Sequence, residues 1–166
     1  IKINGNNLID RIFMNHMPVP FLSLLIDDCI KNGKDYNAGG ARYNTSYIQG
    51  VGLGSITDSL TALKYQVFDK KKISMAGMLK ALAQDFKDFE ELHFDLIYNT
   101  PKYGNDNDYA DAQALSVFEL FYGAADGRPT ARGGISRINL LPTTSHVYFG
   151  SVIQALPDGR KAKEPL

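Results

Sequence analysis

The sequence predicts a helix-rich α/β fold, and three observations carry that reading. Apolar residues recur at helical spacing through most of the 166 residues, apolar–polar alternation is confined to short stretches, and no internal repeat or low-complexity tract interrupts the pattern. A hydrophobic content of 44% in a chain of this length is enough for a buried core. Eighteen basic residues balance eighteen acidic ones, which removes the electrostatic case for nucleic acid or an anionic membrane surface. No apolar run approaches the ~20 residues a bilayer crossing needs, so no membrane span is expected. The single cysteine, Cys29, excludes an internal disulfide framework and suits a reducing cytoplasm.

The elements follow in order. Leu8, Ile9, Ile12, Phe13 and Met17 mark a first helix, which Pro18 and Pro20 end. Phe21 to Ile30 reads as a second, largely buried helix with Gly33 as its C-cap. Cys29 falls on its apolar side, where a thiol is a small hydrophobe rather than a reactive group. Ser55-x-x-Asp58 reads as a capping box opening a helix with Ile56, Leu60, Leu63 and Val67 on one face. Asp69-Lys70-Lys71-Lys72 is a solvated turn. Ser74 caps a helix carrying Met75, Met78, Leu79, Leu82 and Phe86, and a further helix runs through Phe89, Leu92, Leu96 and Ile97 to end before Pro101. His93 is expected at the surface of that helix.

Asn105-Asp106-Asn107-Asp108-Tyr109-Ala110-Asp111 lacks the ligand and glycine that a calcium loop needs at its later positions. Its Asn and Asp residues more simply cap a helix whose inward residues are Leu115, Phe118, Phe121 and Tyr122. Asp126-Gly127-Arg128-Pro129 is a turn and Arg132-Gly133-Gly134 a flexible joint. Ile135 to Leu141 alternates and predicts a short strand ended by Pro142. His146 to Ile153 fits either strand or helix, and Pro157-Asp158-Gly159-Arg160 is another turn.

The stretch Gly39-Gly40-Ala41-Arg42-Tyr43-Asn44 through Gly50-Val51-Gly52-Leu53-Gly54 holds five glycines, so it reads as a shaped loop passing into a helix. A dinucleotide fingerprint fails because its third glycine is displaced and polar residues stand where a buried parallel strand belongs. No Gly-Lys-Ser/Thr follows, which excludes a P-loop. On spacing alone a tight connection is favoured over a ligand site.

The wording of this stretch, with Thr57-Asp58-Ser59-Leu60 after it, resembles the glycyl radical enzymes, the pyruvate formate-lyase-like family. Three segments in the family's order support the likeness: Thr100-Pro101-Lys102-Tyr103-Gly104-Asn105-Asp106, Leu141-Pro142-Thr143-Thr144-Ser145-His146, and Pro157-Asp158-Gly159-Arg160-Lys161-Ala162. The resemblance implies a partial segment of the family's ten-stranded α/β barrel, covering residues 1–166 without the cysteine loop or the C-terminal glycyl radical domain. It implies a radical lyase or dehydratase when intact, most closely one that dehydrates hydroxyproline, with choline, polyols or pyruvate and coenzyme A as alternatives. A non-catalytic helical binding module is the reading from another class.

The same resemblance implies no directly bound cofactor. The glycyl radical would be installed by a separate iron–sulfur activating enzyme that uses S-adenosylmethionine. That activating enzyme, a small-molecule substrate and a second copy of the intact enzyme are the partners implied. No Cys-x-Glu pair occurs here, because Cys29 is followed by Ile30 and Lys31. Catalytic residues are therefore expected outside residues 1–166, no metal ligand is assigned, and the segment alone is expected to be inactive.

Two groups of residues are singled out within it. Gly39, Gly40, Arg42, Tyr43 and Asn44 form a structural loop, with the Arg42 fork clamping a carboxylate or backbone carbonyls. Thr143, Thr144 and Ser145, just past a strand end, form either a capped turn or part of a substrate wall.

Overall fold

The computed structural model describes residues 1–141 and 144–166. They form two compact units, one of Ile1–Gln49 with Phe121–Asn139 and one of Gly50–Leu120 with Leu140–Leu166.

In the first unit, α1 spans Lys2–His16 and Met17 closes it by donating its N–H to the Phe13 carbonyl. None of its residues is buried: Leu8, Ile9, Ile12, Phe13 and Met17 all face outward. Helix α2, Pro20–Leu25, starts with proline at the position where a missing N–H costs nothing. The single helix expected over Phe21 to Ile30 is broken. Ile26 is extended and Asp28 left-handed (φ 73°), and α3 resumes only over Cys29–Asn32, where Gly33 caps it in the left-handed conformation. At the break Asp27 and Asp28 both pair with Arg42. Cys29 is buried, as its position on the apolar side implies.

Strand β1, Thr45–Gln49, pairs in parallel with β2, Ile135–Asn139, in register from Thr45 with Ile135 to Gln49 with Asn139. β2 lies where alternation predicts it. β1 corrects the sequence reading, which took the whole stretch as loop. Thr45, Tyr47 and Ile48 favour a strand, and Ile48 supplies the buried contact while polar neighbours mask the pattern.

The second unit opens with α4, Leu53–Ala62, started by Gly52 in the left-handed conformation (φ 87°). The capping box at Ser55 does not form, because the helix is already running there and Asp58 Oδ1 accepts the Tyr103 N–H instead, at 2.7 Å. The helix widens without a break into a π-helical stretch, Leu63–Asp69. Helix α5, Met75–Ala83, is capped by Ser74 Oγ, which accepts from the Gly77 N–H at 3.1 Å. Helix α6 spans Glu90–Tyr98.

Ala62, Met78, Ala81, Phe86, Leu96 and Ala155 form the core of this unit, with Leu63, Val67 and Leu92 packed around them. His93 is not a free surface residue: its ring stacks on Phe86 (centroids 4.6 Å apart) and Nε2 lies 2.8 Å from the Gly159 carbonyl.

Helix α7, Asp108–Ala125, contributes residues to both units. It buries alanines, Ala110, Ala114 and Ala125, while Leu115, Phe118 and Tyr122 stay exposed and Phe121 half-buried. The expected inward face is therefore corrected, since small residues allow the close approach. Helix α8, Ser145–Val152, resolves the ambiguous stretch in favour of helix.

Candidate functional site

The glycine loop of the first unit is held by the protein itself. A Cβ on Gly39 (φ 83°) would stand 2.3 Å from the Arg132 carbonyl oxygen, and one on the buried Gly40 would stand 2.0 Å from that of Lys34. Only glycine fits both places. The Arg42 fork grips both oxygens of Asp28, with Nε 3.0 Å from Oδ2 and Nη2 3.1 Å from Oδ1, and Nη1 reaches Asp27 at 3.4 Å. This pairing holds the Asp28 carboxyl below the usual carboxylate range. Asn44 Nδ2 donates to the Arg132 carbonyl at 2.8 Å, and Arg132 Nη2 donates to the Thr45 carbonyl and to Ser46 Oγ. Tyr43 projects into solvent, with 83% of its surface exposed.

A cavity of about 490 Å³ lies in the second unit. Gly52 and Ser55 line it from the chain that follows β1, Leu140 and His146 from the chain that follows β2, and Tyr103 and Leu166 complete the wall. Among the described residues no side chain caps α4, so its first-turn amides have no side-chain acceptor. Gly52 and Ser55 therefore bring donor-rich backbone to a largely apolar wall, the usual make-up of a small-molecule site. The Leu166 N–H donates to the His146 carbonyl at 3.2 Å, which holds these two wall residues together.

Of the predicted wall residues, Thr144 is the exposed residue just ahead of α8, and Ser145 is the half-buried first residue of that helix. Thr143 lies outside the described residues. Thr144 and Ser145 are not among the residues lining the cavity, whereas Leu140 and His146, which flank this stretch in sequence, both line it. Tyr103 and His146 were not singled out by sequence reasoning. Both sit inside segments that carried the family resemblance, and that was the available signal.

Cys29 is not among the residues lining the cavity. Burial, with the Asp35 and Asp28 carboxylates nearby, raises its thiol above the ordinary range, which opposes a role as an accessible reactive thiol. Among the described residues no group of three or more His, Cys, Asp or Glu is placed to hold a metal ion, and no helix is long and apolar enough to cross a membrane.

Residues 1–150 match the family described as pyruvate formate lyase-like. The chain is 54% identical to trans-4-hydroxy-L-proline dehydratase of Clostridioides difficile over 167 aligned positions, which take in 100% of this chain and 21% of that protein. The crystal structure of the Clostridioides difficile hydroxyproline dehydratase with trans-4-hydroxy-L-proline bound superposes with a TM-score of 0.96, covering 99% of this chain and 21% of that one. The glycerol-bound B12-independent glycerol dehydratase from Clostridium butyricum gives a TM-score of 0.91 at 43% identity, over 96% of this chain and 20% of that one. The chain thus spans about a fifth of the length of the relatives it matches.

Proposed function

Because this chain belongs to the pyruvate formate lyase-like family of glycyl radical enzymes, we propose that it serves in a longer polypeptide that dehydrates trans-4-hydroxy-L-proline. A glycyl radical, installed by an S-adenosylmethionine-dependent iron–sulfur activating enzyme, would supply hydrogen abstraction next to the substrate hydroxyl. The storage glycine, the relay cysteine and the glutamate belong to other parts of that polypeptide. The single buried cysteine is consistent with a reducing cytoplasm.

The part played by this segment is binding and orientation. Thr143, Thr144 and Ser145 carry short hydroxyls that donate and accept hydrogen bonds from a hydroxylated, zwitterionic ring without competing as hydrogen-atom donors. The observation that supports this role is the cavity itself: the residues flanking that stretch, Leu140 and His146, line it, opposite Gly52 and Ser55 at the start of α4.

Substitution in the complete, activated enzyme tests the reading. Thr143→Val and Thr144→Val are expected to raise KM for hydroxyproline about tenfold while radical yield by electron paramagnetic resonance stays parental. Parental turnover of hydroxyproline, choline and glycerol by both variants would move the wall elsewhere. The likeness to the glycerol dehydratase supports a second reading, a polyol dehydratase, and the same substrate panel distinguishes the two.

A further inference from the structure

The segment 100–103, which presents Tyr103 to the cavity, is fastened at three of its four residues. Thr100 Oγ1 accepts from the buried Gln66 Nε2 at 2.8 Å and donates to the Asp95 carbonyl at 2.8 Å. Lys102 Nζ donates to the Asp158 carbonyl at 2.6 Å, and the Tyr103 N–H donates to Asp58 Oδ1 at 2.7 Å. The anchor that Lys102 grips is itself fixed. His93 Nε2 holds the Gly159 carbonyl at 2.8 Å, and a Cβ on Gly159 would stand 2.8 Å from Ile97 Cγ1, so the turn at 157–160 is seated directly on α6.

A half-buried ammonium bound to an uncharged carbonyl is costly unless nearby carboxylates offset its desolvation. Asp58 and Asp158 are those carboxylates, and both act on Lys102 at longer range. Desolvation nevertheless holds Lys102 below the ordinary lysine range and pushes Asp158 above the ordinary carboxylate range. Lys102 thus grips the 157–160 turn, while Asp58 holds the backbone of Tyr103 from α4.

We propose that Lys102 is a positioning residue for substrate: with Asp58 it fixes where Tyr103 stands in the cavity wall, by tying segment 100–103 to α4 and to the 157–160 turn. The proposal rests on reading the cavity as part of the substrate wall. Tyr103 is its effector, and Lys102 itself does not line the cavity.

Kinetics of the complete, activated enzyme on trans-4-hydroxy-L-proline provide the test, with Lys102→Met, Lys102→Arg, Asp58→Ala and Tyr103→Leu compared. Lys102→Met and Asp58→Ala are each expected to raise KM about tenfold with kcat within about twofold and radical yield unchanged. Because both act through Tyr103, the double variant is expected to cost little more than either alone, well short of the product of the two effects. Lys102→Arg keeps the charge and the donor and is expected to recover KM to within about threefold of the parent.

A lowered melting temperature with parental KM in both Lys102→Met and Asp58→Ala would reduce the pair to a fold staple and overturn the proposal. Should Lys102→Met fail to yield soluble enzyme, Asp58→Ala alone decides by the same criterion. A KM raised by Tyr103→Leu but not by the other two removes the positioning role and leaves the wall. If Tyr103→Leu also leaves KM unchanged, the wall reading falls with it.

Discussion

The two compact units bury different things. The second has an apolar core, in which Met78 and Leu96 are fully enclosed and Phe86 nearly so. The first encloses only Cys29, Ile48 and Ala125 among its hydrophobic residues and leaves Phe21, Leu24 and Leu25 on its surface. Its coherence comes from polar fastenings: Arg42 on Asp27 and Asp28, Arg132 on Thr45, Ser46 and Asp10, and Asn7 on Pro129 and Ala131. Directional bonds of this kind set geometry well but add little net stability, whereas apolar burial supplies most of the driving force. The first unit is therefore ordered by design around its strands and glycine loop, and the second is stabilised by its core.

The largest expected consequence is association. Helices α1 and α2 leave Leu8, Ile9, Phe21, Leu24 and Leu25 more than half exposed, so residues 1–166 purified alone are expected to self-associate and to bind a hydrophobic dye. A monodisperse monomer with a sharp two-state thermal transition would erase the contrast between the units.

Next in size is core truncation. Leu96→Ala removes a fully buried side chain of the second unit and is expected to cost about 2–5 kcal/mol in denaturant unfolding. Leu24→Ala, at a residue 64% exposed in the first unit, is expected to stay within about 0.5 kcal/mol. Equal costs would show that the first unit has an apolar core of its own.

A smaller effect tests the fastenings. Gly40→Ala forces a methyl against the Lys34 carbonyl and is expected to cost about 1–3 kcal/mol, a loss confined to the first unit by hydrogen exchange.

The smallest concerns Arg42→Lys, which loses the two-pronged grip on Asp28 at an exposed site. Asp28 has a depressed pKa when folded, so its contribution is present above the ordinary carboxylate range and fades as pH falls through the lowered value. Arg42→Lys is expected to flatten that acid dependence and lower the melting temperature slightly, with KM unchanged in the complete enzyme. A raised KM at constant melting temperature would instead make Arg42 a substrate contact.

The sequence revealed where elements lie better than which faces they bury. Helices α1, α5 and α6 lie where apolar spacing put them, and β2 followed its alternation. On α4, by contrast, Ile56 and Leu60 stay exposed while Thr57, Ser59 and Thr61 are buried. Helix α2 did not run on to Ile30: the backbone at Asp28 is left-handed and its carboxylate pairs with Arg42, a long-range contact that local spacing does not show. β1 stayed hidden because a strand paired on one edge and mostly polar shows no periodicity of its own. The inward face of α7 was misjudged for a related reason: bulk suggested Leu115 and Tyr122, while close packing selected alanines. The glycine loop and the Thr143–Ser145 stretch stood out by residue type. Tyr103 and His146 did not, since their place in a wall depends on contacts between distant segments.

Substrate preference of the complete enzyme tests the functional account most directly. After activation and confirmation of the radical doublet, turnover of trans-4-hydroxy-L-proline and of glycerol would be measured side by side. The account predicts rapid dehydration of hydroxyproline and little turnover of glycerol. A clear radical signal with turnover of glycerol and none of hydroxyproline would contradict it.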